Sequence, residues 1–118
     1  MRTETPQFIA TKQLLWLRHD GTDVLITARI GTPYQVDATT WACATEIDGV
    51  DGRRADLFAG SSLQALSTAL RMVATRLAHL LDRGERLVHP EQRDCAWDGR
   101  TLEAVFGAGF TPAAEPVA

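Results

Sequence analysis

Two cysteines in 118 residues, Cys43 and Cys95, are too few for the disulfide framework of a small secreted domain. No apolar run approaches the ~20 residues of a membrane span. The opening "MRTETPQ" has no hydrophobic region behind its single positive charge, so it does not read as a signal peptide. These absences predict a cytoplasmic protein. The two cysteines leave two readings open, a Cys43–Cys95 bridge or a pair of partly buried thiols that pack as small hydrophobes. Metal-ligand spacing is missing as well. His19, His79 and His89 form no H-x-x-x-H pair and the cysteines form no C-x-x-C pair, so three or four convergent zinc ligands are not expected.

Excess charge is also lacking. The net charge is −3, with six basic against eight acidic residues in 1–60 and six against seven in 61–118. Neither half carries the basic footprint of a nucleic-acid or anionic-membrane binder. Eleven of the twelve basic residues are arginines, which reads either as a coding bias or as a preference for interface-forming guanidinium forks. Catalytic signatures are absent too. "AGSSLQ" is neither the G-x-S-x-G elbow nor a phosphate-binding loop, and no nucleophile–base or metal constellation appears. The expectation is a chain that is not an enzyme and needs no cofactor.

What is present is the material of one domain. Apolar residues make up 45% and charged residues 23%, ordinary for a globular chain. A chain this long buries roughly two-thirds of its unfolded surface, enough for one core. Residues 1–7 read as a flexible start, 8–111 as a single domain, and 112–118, rich in Pro and Ala, as a loose tail. From Phe8 to Leu17 the chain is apolar and aromatic, and Asp20-Gly21 follows as a hairpin turn. In "VLITARI", Val24, Ile26, Ala28 and Ile30 alternate with Leu25, Thr27 and Arg29, the period of a strand with one buried face. "GTPYQVDAT" reads as a connector broken by Gly31 and Pro33. "TWACATEI" is a third strand with Trp41, Cys43, Thr45 and Ile47 on one face. "DGVDG" is a turn, and "RRADLFAG" is a fourth strand with Arg54, Asp56 and Phe58 on its polar side. "RLVH" suggests a short strand, "EQRDCAWDG" a loop, and "TLEAVFGAGF" either a strand or a short helix.

The period then changes. Leu63, Leu66, Leu70, Val73, Leu77 and Leu80 recur at helical spacing, with Gln64, Thr68, Arg71, Thr75, His79 and Asp82 behind them. Ser61 as N-cap puts Gln64 at the third helical position, which matches a capping box, and Gly84 closes the helix. The predicted fold class is α+β: an antiparallel meander of four to five strands, with one long amphipathic helix at about 62–83 packed on one face.

The candidate surface is charged. Glu46, Asp48, Asp51 and Asp56 cluster around the third turn beside Arg53 and Arg54, as either a solvated tip or the rim of a protein interface. Trp97 lies in a polar segment, either folded over the core or exposed as a contact. The pattern "TWACATEIDG … AGSSLQALSTALRMVATRL" resembles a small family of uncharacterised bacterial domains with a W-x-C strand, an I-x-G turn and a helix start in which a glycine precedes S-[ILV]-Q-A-L. Trp41, Cys43, Ile47, Gly49, Gly60, Ser62, Gln64, Ala65 and Leu66 hold the matching positions, and the likeness runs over residues 8–82. Small cytoplasmic α+β domains of this look often serve as immunity proteins against bacterial toxins, an analogy of size and fold only. The resulting expectation is a non-catalytic protein-binding domain that neutralises a cognate bacterial toxin by occluding it. The alternative is a small-ligand-binding or regulatory homodimeric module with its pocket between sheet and helix.

Overall fold

Alternation and turn chemistry build the first hairpin in the computed structural model, which describes residues 7–107. β1 (Phe8–Leu17) and β2 (Asp23–Gly31) pair antiparallel, with Lys12 opposite Ala28 and Leu14 opposite Ile26. Directly opposed residues share a face, so Leu14, Ile26, Ala28 and Ile30 form one buried row. Asp20 closes the turn by accepting from the Thr22 amide at 3.0 Å and its hydroxyl at 2.6 Å. The turn expected at Asp20-Gly21 is therefore formed.

Beyond Gly31 the chain passes back and forth between two sheets. β3 (Tyr34–Asp37), β4 (Thr40–Cys43) and β7 (Leu57–Ala59) make a three-stranded sheet in the order β3-β4-β7. β5 (Thr45–Asp48), β6 (Gly52–Arg53), β8 (Arg86–His89) and β9 (Gln92–Ala96) join the hairpin in a six-stranded sheet, β6-β5-β2-β1-β8-β9. Every pairing is antiparallel. The expectation of four to five strands is thus corrected to nine among the described residues, and the single meander to two sheets.

Three segments expected to be simple turn out to be bent. "TWACATEI" is two strands, because the chain switches sheets at Ala44. The Gly31 amide donates to the Ala44 carbonyl at 2.8 Å, and a Cβ on Gly31 would lie 3.1 Å from that of Ala44, so a side chain there would press on the corner. "RRADLFAG" likewise divides into β6 and β7 on either side of residues 54–56, and the connector after Pro33 contains β3. Gly49 serves the tight turn after β5: its φ is +98°, and a Cβ there would come within 2.8 Å of the Leu25 carbonyl oxygen.

α1 (Ser62–Asp82) lies between the sheets, touching β4 and β7 of one and β2, β5 and β8 of the other. At ~1.5 Å per residue it spans about 31 Å. Ser61 Oγ accepts from the Gln64 amide at 3.1 Å, which is one half of the expected capping box. At the other end the Glu85 amide reaches the Leu80 carbonyl and the Gly84 amide reaches that of Leu81, the paired bonds of a Schellman cap. The buried line along α1 is Ala65, Ala69, Val73, Leu77 and Leu80, whereas Leu63 is 73% exposed. The expected stripe is therefore rotated over the first two turns, where Ala65 and Ala69 are fully buried and Leu66 and Leu70 pack against the core only in part.

α2 (Gly99–Phe106) settles the open reading of "TLEAVFGAGF" for its described part. Asp98 caps it by accepting from the Thr101 amide at 3.0 Å, and Leu102 is buried in the core. "EQRDCAWDG", expected as a loop, instead supplies β9. The expectations for residues 1–6 and 108–118 lie outside the described residues.

Candidate functional site

The β5–β6 hairpin holds most of the charged residues singled out from sequence, and the fold sorts them onto two sides. On the side toward the helix, Asp51 accepts from Arg76 Nε at 2.7 Å and Nη2 at 3.1 Å, with Arg54 Nη1 at 3.3 Å. The Arg76 hydrogen bonds hold the Asp51 carboxyl below its usual range. Arg76 extends the chain of contacts to His79 Nδ1 at 3.2 Å. This fork ties the hairpin tip to α1, so Asp51 is not a solvated tip residue.

On the outer side a second network forms. Asp56 is buried, and its carboxylate accepts from the Tyr34 hydroxyl and from Arg53 Nη2, the latter at 2.8 Å. Arg53 lies opposite Glu46 in register, and Glu46 accepts from Arg29 Nη1 at 3.0 Å. Register also lines up Tyr34, Ala42 and Phe58 across β3, β4 and β7. Ala42 is fully covered between its two aromatic neighbours, yet Phe58 itself is 59% exposed. Arg53, Arg54, Ala55, Asp56 and Phe58 line a shallow, open concavity of about 450 Å³. Its chemistry is a projecting ring flanked by two guanidinium groups, over a carboxylate that is already satisfied.

The remaining sequence candidates lie elsewhere or play other roles. Asp48 is exposed on the turn side of β5, opposite Thr27. Trp97 is 3% exposed and belongs to the core, so it takes the packing alternative of its two readings. It also sits beyond β9, at the far edge of the large sheet from the hairpin, with its ring 5.7 Å from that of His89. Ser61 and Gln64 act in the helix cap. Tyr34 and Phe58 were not among the sequence candidates. Phe58 had a readable signal, since it is the one aromatic in phase with Arg54 and Asp56 on a polar strand face. Tyr34 had none, because its partner is 22 residues away.

Both cysteines are free, Cys43 in the core and Cys95 exposed on β9. Burial, with the Asp56 charge behind it, pushes the Cys43 thiol up to about 11. A thiol so shifted is a poor nucleophile at neutral pH. Among the described residues no group of three or more His, Cys, Asp or Glu is placed to hold a metal, and no helix is long and apolar enough to cross a membrane.

One long helix packed by one face against two antiparallel sheets, with a charged hairpin followed by a strand that carries an exposed aromatic, defines a small α+β domain. The chain belongs to the family described as Domain of unknown function (DUF6968), whose model matches residues 10–100. That match reaches past the helix through β8 and β9, further along the chain than the motifs around Trp41 and Ser61. No curated protein and no solved structure matches the chain.

Proposed function

We propose that this domain is a non-catalytic protein-binding module that docks through the outer face of the three-stranded sheet. One observation carries the reading: Phe58 projects at 59% exposure from a surface whose neighbours are already fixed. An exposed aromatic of this size gains roughly 1.5–3 kcal/mol from full burial. Arg53 is held by Asp56 and Arg54 by Asp51, so both guanidinium groups are ordered before any partner arrives. Ordering in advance lowers the entropic cost of association. Aromatic and arginine side chains of this kind form the centres of protein interfaces. The complementary partner surface is an apolar socket for Phe58 rimmed by carboxylates. The comparisons lend no support to a toxin as that partner, and the chemistry of the surface does not require one.

A photo-crosslinking amino acid at position 58 tests this in extract from the native host. The expected result is one discrete crosslinked protein whose purified form binds the intact domain and binds Phe58→Ala at least tenfold more weakly. Diffuse crosslinking, or affinity indifferent to Phe58→Ala, would overturn the proposal. A crosslink to a second copy of the chain would make the interface a homodimeric one instead. The small-ligand alternative has its own supporting observation, a cleft of about 190 Å³ between the large sheet and the helices. That cleft is open along a strand edge, which suits an extended chain better than an enclosed small molecule.

A further inference from the structure

The large sheet has a gap in its hydrogen-bonding ladder. β8 pairs with β1 only over Leu15–Leu17, through Val88, Leu87 and Arg86. After His89 the chain turns at Pro90, which has no N–H to continue a ladder, and comes back as β9 on the far side of β8. The strand partner that would lie beside Phe8–Leu14 is therefore missing among the described residues, and residues 9–13 are exposed. Half of the backbone N–H and C=O groups in such a stretch point away from β2 and toward that slot. Ala10 to Leu14 alone offer about 17 Å of edge at ~3.3 Å per residue.

The slot adjoins the open cleft. Ala10 and Lys12 of β1 share its lining with Ile30 of β2, Leu70 and Val73 of α1, and Phe106 of α2. Alternation puts Ala10, Lys12 and Leu14 on the same face, toward the helices. Lys12 is the only lysine in the chain, and no carboxylate pairs with it among the described residues.

We propose that this edge is a β-addition site for an extended peptide segment with an acidic residue opposite Lys12 and an apolar residue two positions away. The added strand continues the ladder that β8 abandons, its acidic side chain meets the Lys12 ammonium as a cross-strand pair, and its apolar side chain enters the cleft. A lysine and a bulge are also the features by which edge strands resist indiscriminate pairing, and the register shift between Phe8 and Ala10 is such a bulge. The partner must therefore bring the complementary charge. A second copy of the same edge does not, since "FIATKQL" contains a lysine and no acid. This site is separate from the Phe58 surface and stands or falls independently of it.

The test uses the full chain and a synthetic acetylated, amidated heptapeptide, Thr-Val-Thr-Glu-Thr-Val-Thr, followed by amide chemical shifts. Saturable shifts centred on residues 10–14 are expected. Lys12→Glu should weaken binding at least tenfold, and a peptide with Lys in place of Glu should recover it on that variant. Lys12 is exposed, so the variant should keep its fold, which circular dichroism checks, and Phe58→Ala should bind the heptapeptide unchanged. The proposal is overturned by an absence of binding, by shifts centred elsewhere, or by failure of the charge swap. It is also overturned if a chain ending at Gly107 binds at least tenfold more tightly than the full chain, because residues 108–118 would then be the occupant of the edge.

Discussion

Asp51 and Asp56 are five residues apart, both face arginines, and both are largely withdrawn from solvent, yet they do different work. Asp51 binds α1 through the two-pronged contact of Arg76, and its reach toward the outer surface is the longer pair with Arg54. Asp56 is buried and fixes Tyr34 and Arg53 beside Phe58, a ring left 59% exposed. The turn between them decides this, because residues 54–56 carry the chain from one sheet to the other and reverse which side of the hairpin a carboxylate meets. Similar ion-pair chemistry thus yields a tether on one side and a prepared surface on the other.

The largest effect is expected at Asp56. Replacing it by Ala removes the buried carboxylate to which the Tyr34 hydroxyl and Arg53 Nη2 both donate, which should cost about 2 kcal/mol in chemical denaturation. Asp56→Asn keeps the shape and an acceptor, and should lose clearly less. The comparison with Asp51 breaks if Asp56→Ala proves near-neutral.

The inner tether should be worth less and should depend on acid. Arg76→Met leaves Asp51 with Arg54 as its remaining partner, at a cost of about 1–2 kcal/mol at pH 7. Because Arg76 lowers the pKa of Asp51 in the folded state, its stabilisation is complete above the ordinary carboxyl value of 3.8 and fades as pH falls through the lowered one. The gap between wild type and Arg76→Met should therefore hold from pH 7 to about 5 and close below pH 4. A gap that stayed constant into strong acid would show that Arg76 acts through packing rather than charge.

The contrast between the two carboxylates also marks what a sequence can reveal. The helix was legible because its period and its Ser61 cap are local, and both are found. Its exact face was not: leucines outrank alanines in any hydrophobic pattern, but Ala65 and Ala69 are fully buried while Leu63 stays outside. The sheet switch at Ala44 leaves the apolar alternation of the sequence unmarked, although burial is continuous from Ala42 to Thr45 across the bend. Nothing in the pattern distinguishes one bent strand pair from one straight strand. β9 was invisible for another reason: all five of its residues are exposed, so it has no buried phase to read. At the candidate surface the charges were legible as a cluster. Their division into inner and outer networks was not, because Tyr34 and Arg76 reach them across 22 and 25 residues.

The smallest effect on stability is expected where the effect on binding should be largest. Phe58→Ser removes a ring that is 59% exposed, on a residue opposite Ala42 in register. Substitutions at such positions usually stay within about 0.5 kcal/mol of the parent. Denaturation midpoints should accordingly barely move, while the partner recovered by crosslinking at position 58 should be lost. The two readings of Phe58 separate on this measurement. A ring that belongs to the Asp56 network as a structural lid would lower stability in step with Asp56→Ala, and the double variant would lose less than the sum of the two. A ring held out for a partner leaves the two effects additive and confines its own to binding.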